Sequence, residues 1–197
     1  MLNFEPAESE LFLNPEVFAL KRRTVAKLYA AFEALRLRLK DTGEQLQISF
    51  PNAVSAISSK ISQGENYEGC PWVMLDYLRY FQGQDMFAFR VMGWFGHYFS
   101  AHMVLGGQYA ATYLTTLNKR PFAQEIWFST HTDPWKHEVE EPYCKRLDTL
   151  SEEEIVAHVT QYDFIKLSIK MVTADLGEVE DEVVRFFGEG FIGRKEE

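Results

Sequence analysis

Arg90, His97 and His102 interrupt the long apolar and aromatic run FRVMGWFGHYFSAHMVLGG at residues 89–107. An arginine does not shed its charge inside a protein, so a buried one needs a carboxylate or a bound anion beside it. Asp76, in the preceding apolar run PWVMLDYLRYF, is the carboxylate best placed for that role, and Arg79 lies three residues further on. A planar guanidinium also suits carboxylate and phosphate ligands, because its fork donates two bonds at once. A histidine beside it would supply a tunable acid or base. Arg90, His97, Asp76 and Trp94 are therefore the candidate ligand-binding set, in an aromatic-lined pocket for a small anionic molecule. The competing expectation is an internal Asp76–Arg90 ion pair that only holds the fold together.

A second group is the sequence HTDPWKHE, with His131, Asp133, His137 and Glu138. Imidazole and carboxylate are the usual ligands of zinc and ferrous iron, so His131, Asp133 and His137 are the candidate metal ligands of a metal-dependent enzyme. Loops rich in His, Asp and Pro also arise from turn chemistry alone. Cys70, before Pro71, has no basic neighbour in sequence to activate it. The phosphate-binding, dinucleotide-binding, serine-hydrolase and zinc-protease motifs are all missing, and no cofactor is implied.

The elements that would position these groups follow from periodicity. Asn14 and Pro15 open a long helix over residues 14–43. Phe18, Val25, Phe32 and Leu39 recur every seven residues, with Leu28 and Leu35 between them, so one face is apolar. That face can pack on its own sheet or form the seam of a homodimer. Leu46, Ile48 and Phe50 alternate with polar residues and predict a strand. Residues 52–62 fit helix or strand, and GENYEG reads as a loop. Residues 71–81 read as a strand buried on both faces. The run at 86–105 has the length of a membrane helix, but its arginine and histidines argue against one. It is read as a hairpin of strands 86–94 and 97–105, turning at Phe95-Gly96 and placing Arg90, Met92, Trp94 and His97 on one face. Residues 107–118 fit a helix or a Thr-rich strand, with the helix preferred, and QEIWFSTHT reads as a strand. DPWKHEVEEPYC is an edge strand or a loop. Ser151 and Glu154 form a capping box for a helix at 152–161. DFIKLSIKMV is a strand, and Asp175 caps a final helix with Leu176, Val179, Val183 and Phe186 on its buried face.

Together these give a single α+β domain over residues 1–197, with loose tails at 1–13 and 192–197. A mainly antiparallel sheet of five or six strands is covered by a long N-terminal helix and C-terminal helices. The net charge of −9 disfavours sequence-independent nucleic-acid binding, which needs a basic footprint. The charge is unevenly spread: residues 15–41 carry +4 and residues 121–197 carry −10. Two isolated cysteines and a start without a basic, then apolar, leader suggest a cytoplasmic setting. The partners to expect are a small anionic ligand or a second copy of the chain, not nucleic acid or a membrane.

Overall fold

A computed structural model describes residues 3–55, 58–117 and 122–191. The expected tail at 192–197, and Ile57 within the ambiguous segment, lie outside those residues. The architecture is α+β: one antiparallel sheet in the order β1-β2-β3-β4-β7-β5-β6, with helices against one face. Its strands are β1 Lys60–Tyr67, β2 Cys70–Gln82, β3 Asp85–Trp94, β4 Phe99–Gly106, β5 Trp127–Ser129, β6 Cys144–Arg146 and β7 Phe164–Met171. The helices are α1 Pro6–Leu13, α2 Pro15–Gln45, α3 Asn52–Ser55, α4 Gln108–Leu117, α5 Glu152–Tyr162 and α6 Leu176–Phe191. No helix among the described residues is long and apolar enough to cross a membrane.

The first four strands form a meander, and β7 returns after α5 to pair with β4. Leu75, Phe89, Val91, Met103, Leu105, Ile165 and Leu167 point to the helices and meet Leu28, Phe32, Leu35 and Leu39 of α2 and Val183, Phe186 and Phe187 of α6. Much of the aromatic content goes there: Phe50, Phe87, Phe89, Phe187 and Phe191 form a chain of edge, tilted and stacked ring contacts. The opposite face is covered not by helix but by the connection between β5 and β6, residues 130–143. This face carries a smaller cluster of Met74, Met92, Trp94, Tyr98 and Val139.

Several expectations hold. Asn14 caps α2 through Glu16 N, the Ser151–Glu154 box caps α5, and Asp175 Oδ1 accepts from Gly177 N at the start of α6. Residues 108–117 are helical, and Ile165, Leu167, Ile169 and Met171 alternate along β7 as expected.

Others are corrected. Residues 44–50 form no strand. α2 continues through Gly43, which packs against Phe187, and ends at Gln45. The alternation of Leu46, Ile48 and Phe50 is therefore that of an irregular segment, whose Ile48 and Phe50 dock on the core. GENYEG is not a loop. Residues 60–67 are β1, and only Glu68 and Gly69 turn the chain, with φ of 49° and 83° between the paired Tyr67 and Cys70. That is the positive-φ pair of the tightest hairpin turn, for which glycine is suited. The sheet has seven strands rather than five or six: β1 and the three-residue β6 join the expected set, and residues 44–50 leave it. Residues 6–13, expected as a loose tail, form α1, which buries none of its residues.

The hairpin at 86–105 exists, but its register differs from the expected one. The turn spans Phe95–His97, Trp94 N bonds Tyr98 O, and Arg90 pairs with His102. A one-residue slip in a strand exchanges its faces. Arg90 and His102 therefore share a face, and His97 falls on the exposed turn.

Candidate functional site

One row of paired residues crosses four strands on the loop-covered face: Asp76 of β2, Arg90 of β3, His102 of β4 and Ser168 of β7. A bulge in β2 at Tyr77 sets one end of the row. It turns both Tyr77 and Leu78 to the helix side and leaves Asp76 facing Arg90. Arg90 Nε donates to Asp76 Oδ1 at 2.7 Å, and both side chains are nearly buried. The Arg90 guanidinium lies 5.0 Å from the ring centre of Trp135 in the covering loop, a cation–π contact. Among the described residues, its terminal nitrogens Nη1 and Nη2 make no hydrogen bond.

His102 is wholly buried, with Nε2 at 2.9 Å from Ser100 Oγ and Nδ1 at 2.8 Å from Ser168 Oγ. Burial, reinforced by the charge on Lys166, holds its pKa well below the usual histidine range. The ring is neutral, so it donates to one serine and accepts from the other. His137, from the covering loop, sits with its ring 5.1 Å from that of His102. It is likewise kept neutral by burial and then by Lys166, and its buried Nδ1 has no hydrogen-bond partner among the described residues.

Lys166 is the other unusual member. Its side chain is fully buried, and Nζ donates to the backbone oxygens of Pro134 and Lys136. Burial pushes its pKa down to about 8. Lys136 is paired with Glu68 and Glu138. Glu138 also accepts from the Tyr67 hydroxyl at 2.5 Å. Burial would raise the Glu138 carboxyl, but the bonds from Lys136 and Tyr67 outweigh it and lower the pKa. The loop is fastened further by Tyr67 and Tyr98, whose hydroxyl oxygens accept from the backbone N–H of His137 and Val139, and by Lys170 on Glu140. Burial pushes the Cys144 thiol up to about 11, away from the range of a nucleophile.

The structure thus brings Asp76 and Arg90 together as an ion pair. Trp94 lies on the same face, four residues along β3, and its indole N–H donates to Tyr67 O. It does not bring His97 to Arg90. That ring is exposed and stacks on Trp94 at 3.6 Å. The other candidate set is also dispersed. His131 Nδ1 accepts from Asp133 N, and Asp133 Oδ1 accepts from Trp135 N, as in a turn, while His137 faces inward to His102. Among the described residues, no group of three or more His, Cys, Asp or Glu is arranged to hold a metal ion. Arg79 bonds Ser58 O instead of joining the row.

The chain matches no family model, no curated protein and no solved structure. The site stands on its own geometry.

Nothing in the sequence context of Lys166, Ser100, Ser168 or Tyr67 marks them as members of a site. In β7, Lys166, Ser168 and Lys170 alternate with apolar residues as a solvent-facing set would. The available signal was the stretch between β5 and β6, rich in aromatic and charged residues and long enough to fold back over that face.

The buried neutral imidazoles have a measurable consequence. His102, His137 and His158 all have lowered pKa values, burial being the first cause in each, and His158 falls to about 4. The unfolded chain takes up protons on them below about pH 6.5 whereas the folded chain does not. The contribution of these histidines to stability is therefore full above that pH and is lost as pH falls through it. A urea midpoint that stays flat from neutral pH to about pH 5.5 would contradict this assignment.

Proposed function

We propose that the chain binds a small anionic molecule, a carboxylate or a phosphate, through Arg90. The observation that carries this reading is the charge balance beneath the covering loop. Arg90 is matched by Asp76 and Lys136 by Glu138 and Glu68, but among the described residues buried Lys166 bonds backbone carbonyls alone. A buried cation without a counter-charge is costly, and an anion beside it would offset that cost. The free terminal nitrogens of Arg90 and the unpaired Nδ1 of His137 are donors or acceptors of the right kind beside it. Trp135, partly exposed and held edge-on by Phe81, covers the guanidinium and marks the side from which a ligand would reach it. The chemistry favours binding over catalysis: burial keeps His102 and His137 well below the usual histidine range, and the Cys144 thiol is not activated. The free thiols of Cys70 and Cys144 support a cytoplasmic, reducing setting.

Thermal unfolding with added inorganic phosphate, succinate or citrate tests the reading. At least one of these is expected to raise the midpoint of the wild-type protein in a saturable way. Arg90→Met should fold and lose that response. Equal responses in the two proteins, or none in the wild type, would remove the basis for the proposal.

A further inference from the structure

The amino-terminal arm is apolar, acidic and uncovered. α1 buries none of its eight residues. Phe4, Leu11, Phe12 and Leu13 are all exposed, Phe12 at 67% and Leu13 at 76%. Residues 11, 12 and 13 follow one another about 100° apart around the helix. The arm is therefore apolar on more than one side, which is the pattern of a helix enclosed by protein. α2 continues the surface with exposed Val17, Phe18 and Leu20, and its first buried residue is Leu28. Single exposed apolar residues are ordinary, but a contiguous set of this kind marks an interface.

The charges identify the partner. Residues 3–16 carry Glu5, Glu8, Glu10 and Glu16 and no basic residue. Residues 17–27 carry Lys21, Arg22, Arg23 and Lys27 and no acidic one. Lys21 is tied within the chain to Glu65, whereas Arg22, Arg23 and Lys27 form no ion pair among the described residues. Along α2 and β1 runs a shallow groove of about 380 Å³, walled by Phe18, Val25 and Ala26, with Lys21, Arg22 and Gln63 among its lining residues. An acidic apolar arm joined to a basic apolar segment is self-complementary between two copies related by a two-fold axis.

We propose that the chain forms a homodimer by exchange of arms, α1 of each protomer lying antiparallel along residues 17–27 of its partner. Phe12 and Leu13 pack on the apolar wall of the partner's groove, and the arm's glutamates face the partner's free arginines. The inference is independent of anion binding, since no residue of the Arg90 site takes part.

Sedimentation equilibrium of the full chain tests it. The wild type is expected at twice the protomer mass. Arg22→Glu with Arg23→Glu, and separately Glu10→Lys with Glu16→Lys, should each weaken association at least tenfold. Mixing the two variants should restore it, because the reversed charges again meet opposite partners. Phe12→Asp should yield monomers with an unchanged unfolding midpoint at high dilution, as the arm contributes nothing to the core. A wild-type monomer would overturn the proposal. So would a dimer indifferent to all of these changes, or charge variants that fail to rescue one another.

Discussion

Replacing Asp76 with Ala is expected to destabilise the protein by about 3–5 kcal/mol. Asp76 lies directly opposite Arg90 in the register and accepts from it at 2.7 Å. Both side chains are nearly buried, and Trp135 lies over the guanidinium. Removing the carboxylate leaves a charge that arginine cannot discharge by losing a proton. The neighbours offer no substitute: His102 is neutral, and Lys166 carries the same sign. Against a typical total of about 5–15 kcal/mol, this is a large part of the stability. Removing both charges gives a different result, because no orphan remains. Asp76→Ala with Arg90→Met should recover much of the loss, and the non-additivity measures the coupling of the pair. Guanidinium chloride unfolding of the four proteins is the measurement. A loss below about 1 kcal/mol for Asp76→Ala would mean that Arg90 is satisfied by something other than Asp76.

The sequence makes that pair legible for a physical reason. A charged residue inside a strand apolar on both faces has to be covered, and covered charges need partners. Asp76 is the acidic residue of the neighbouring run, and the structure places it opposite Arg90. What fails is finer than pattern. The hairpin turn holds three residues, Phe95 to His97, where a two-residue turn was expected, and Trp94 bonds across to Tyr98. That difference moves His97 off the strand and brings His102 beside Arg90. Turn length is set by backbone geometry around Gly96, whose φ is 78°, and not by apolar alternation. The covering loop is illegible for another reason. Its docking depends on Lys166 reaching two backbone carbonyls and on two tyrosine hydroxyls accepting from backbone N–H groups. Long-range bonds to main-chain atoms leave no periodic trace in a sequence.

The stripe on α2 shows both the reach and the limit of periodicity. The heptad places Phe18, Val25, Phe32 and Leu39 on one line, but only the lower part of that line is core. Leu28, Phe32, Leu35 and Leu39 are buried against α6 and the sheet, while Phe18 is largely exposed. The helix has 31 residues, about 46 Å at the usual rise, and its buried residues begin only at Leu28. Phe32, fully enclosed, is therefore expected to be the costliest position on the helix. Phe32→Ala removes a phenyl ring from a packed aromatic core and should cost about 3–5 kcal/mol, from lost burial and the cavity left behind. Leu37→Ala, at an exposed position one and a half turns away, should change stability by no more than about 0.5 kcal/mol. The comparison separates the two uses of the stripe. If α2 serves the fold, Phe32→Ala lowers the chemical unfolding midpoint and leaves the sedimented mass unchanged. If Phe32 belongs instead to a seam between protomers, the variant would unfold at the wild-type midpoint at high dilution and lose only its association. The complete burial of Phe32 within a single chain requires the first outcome.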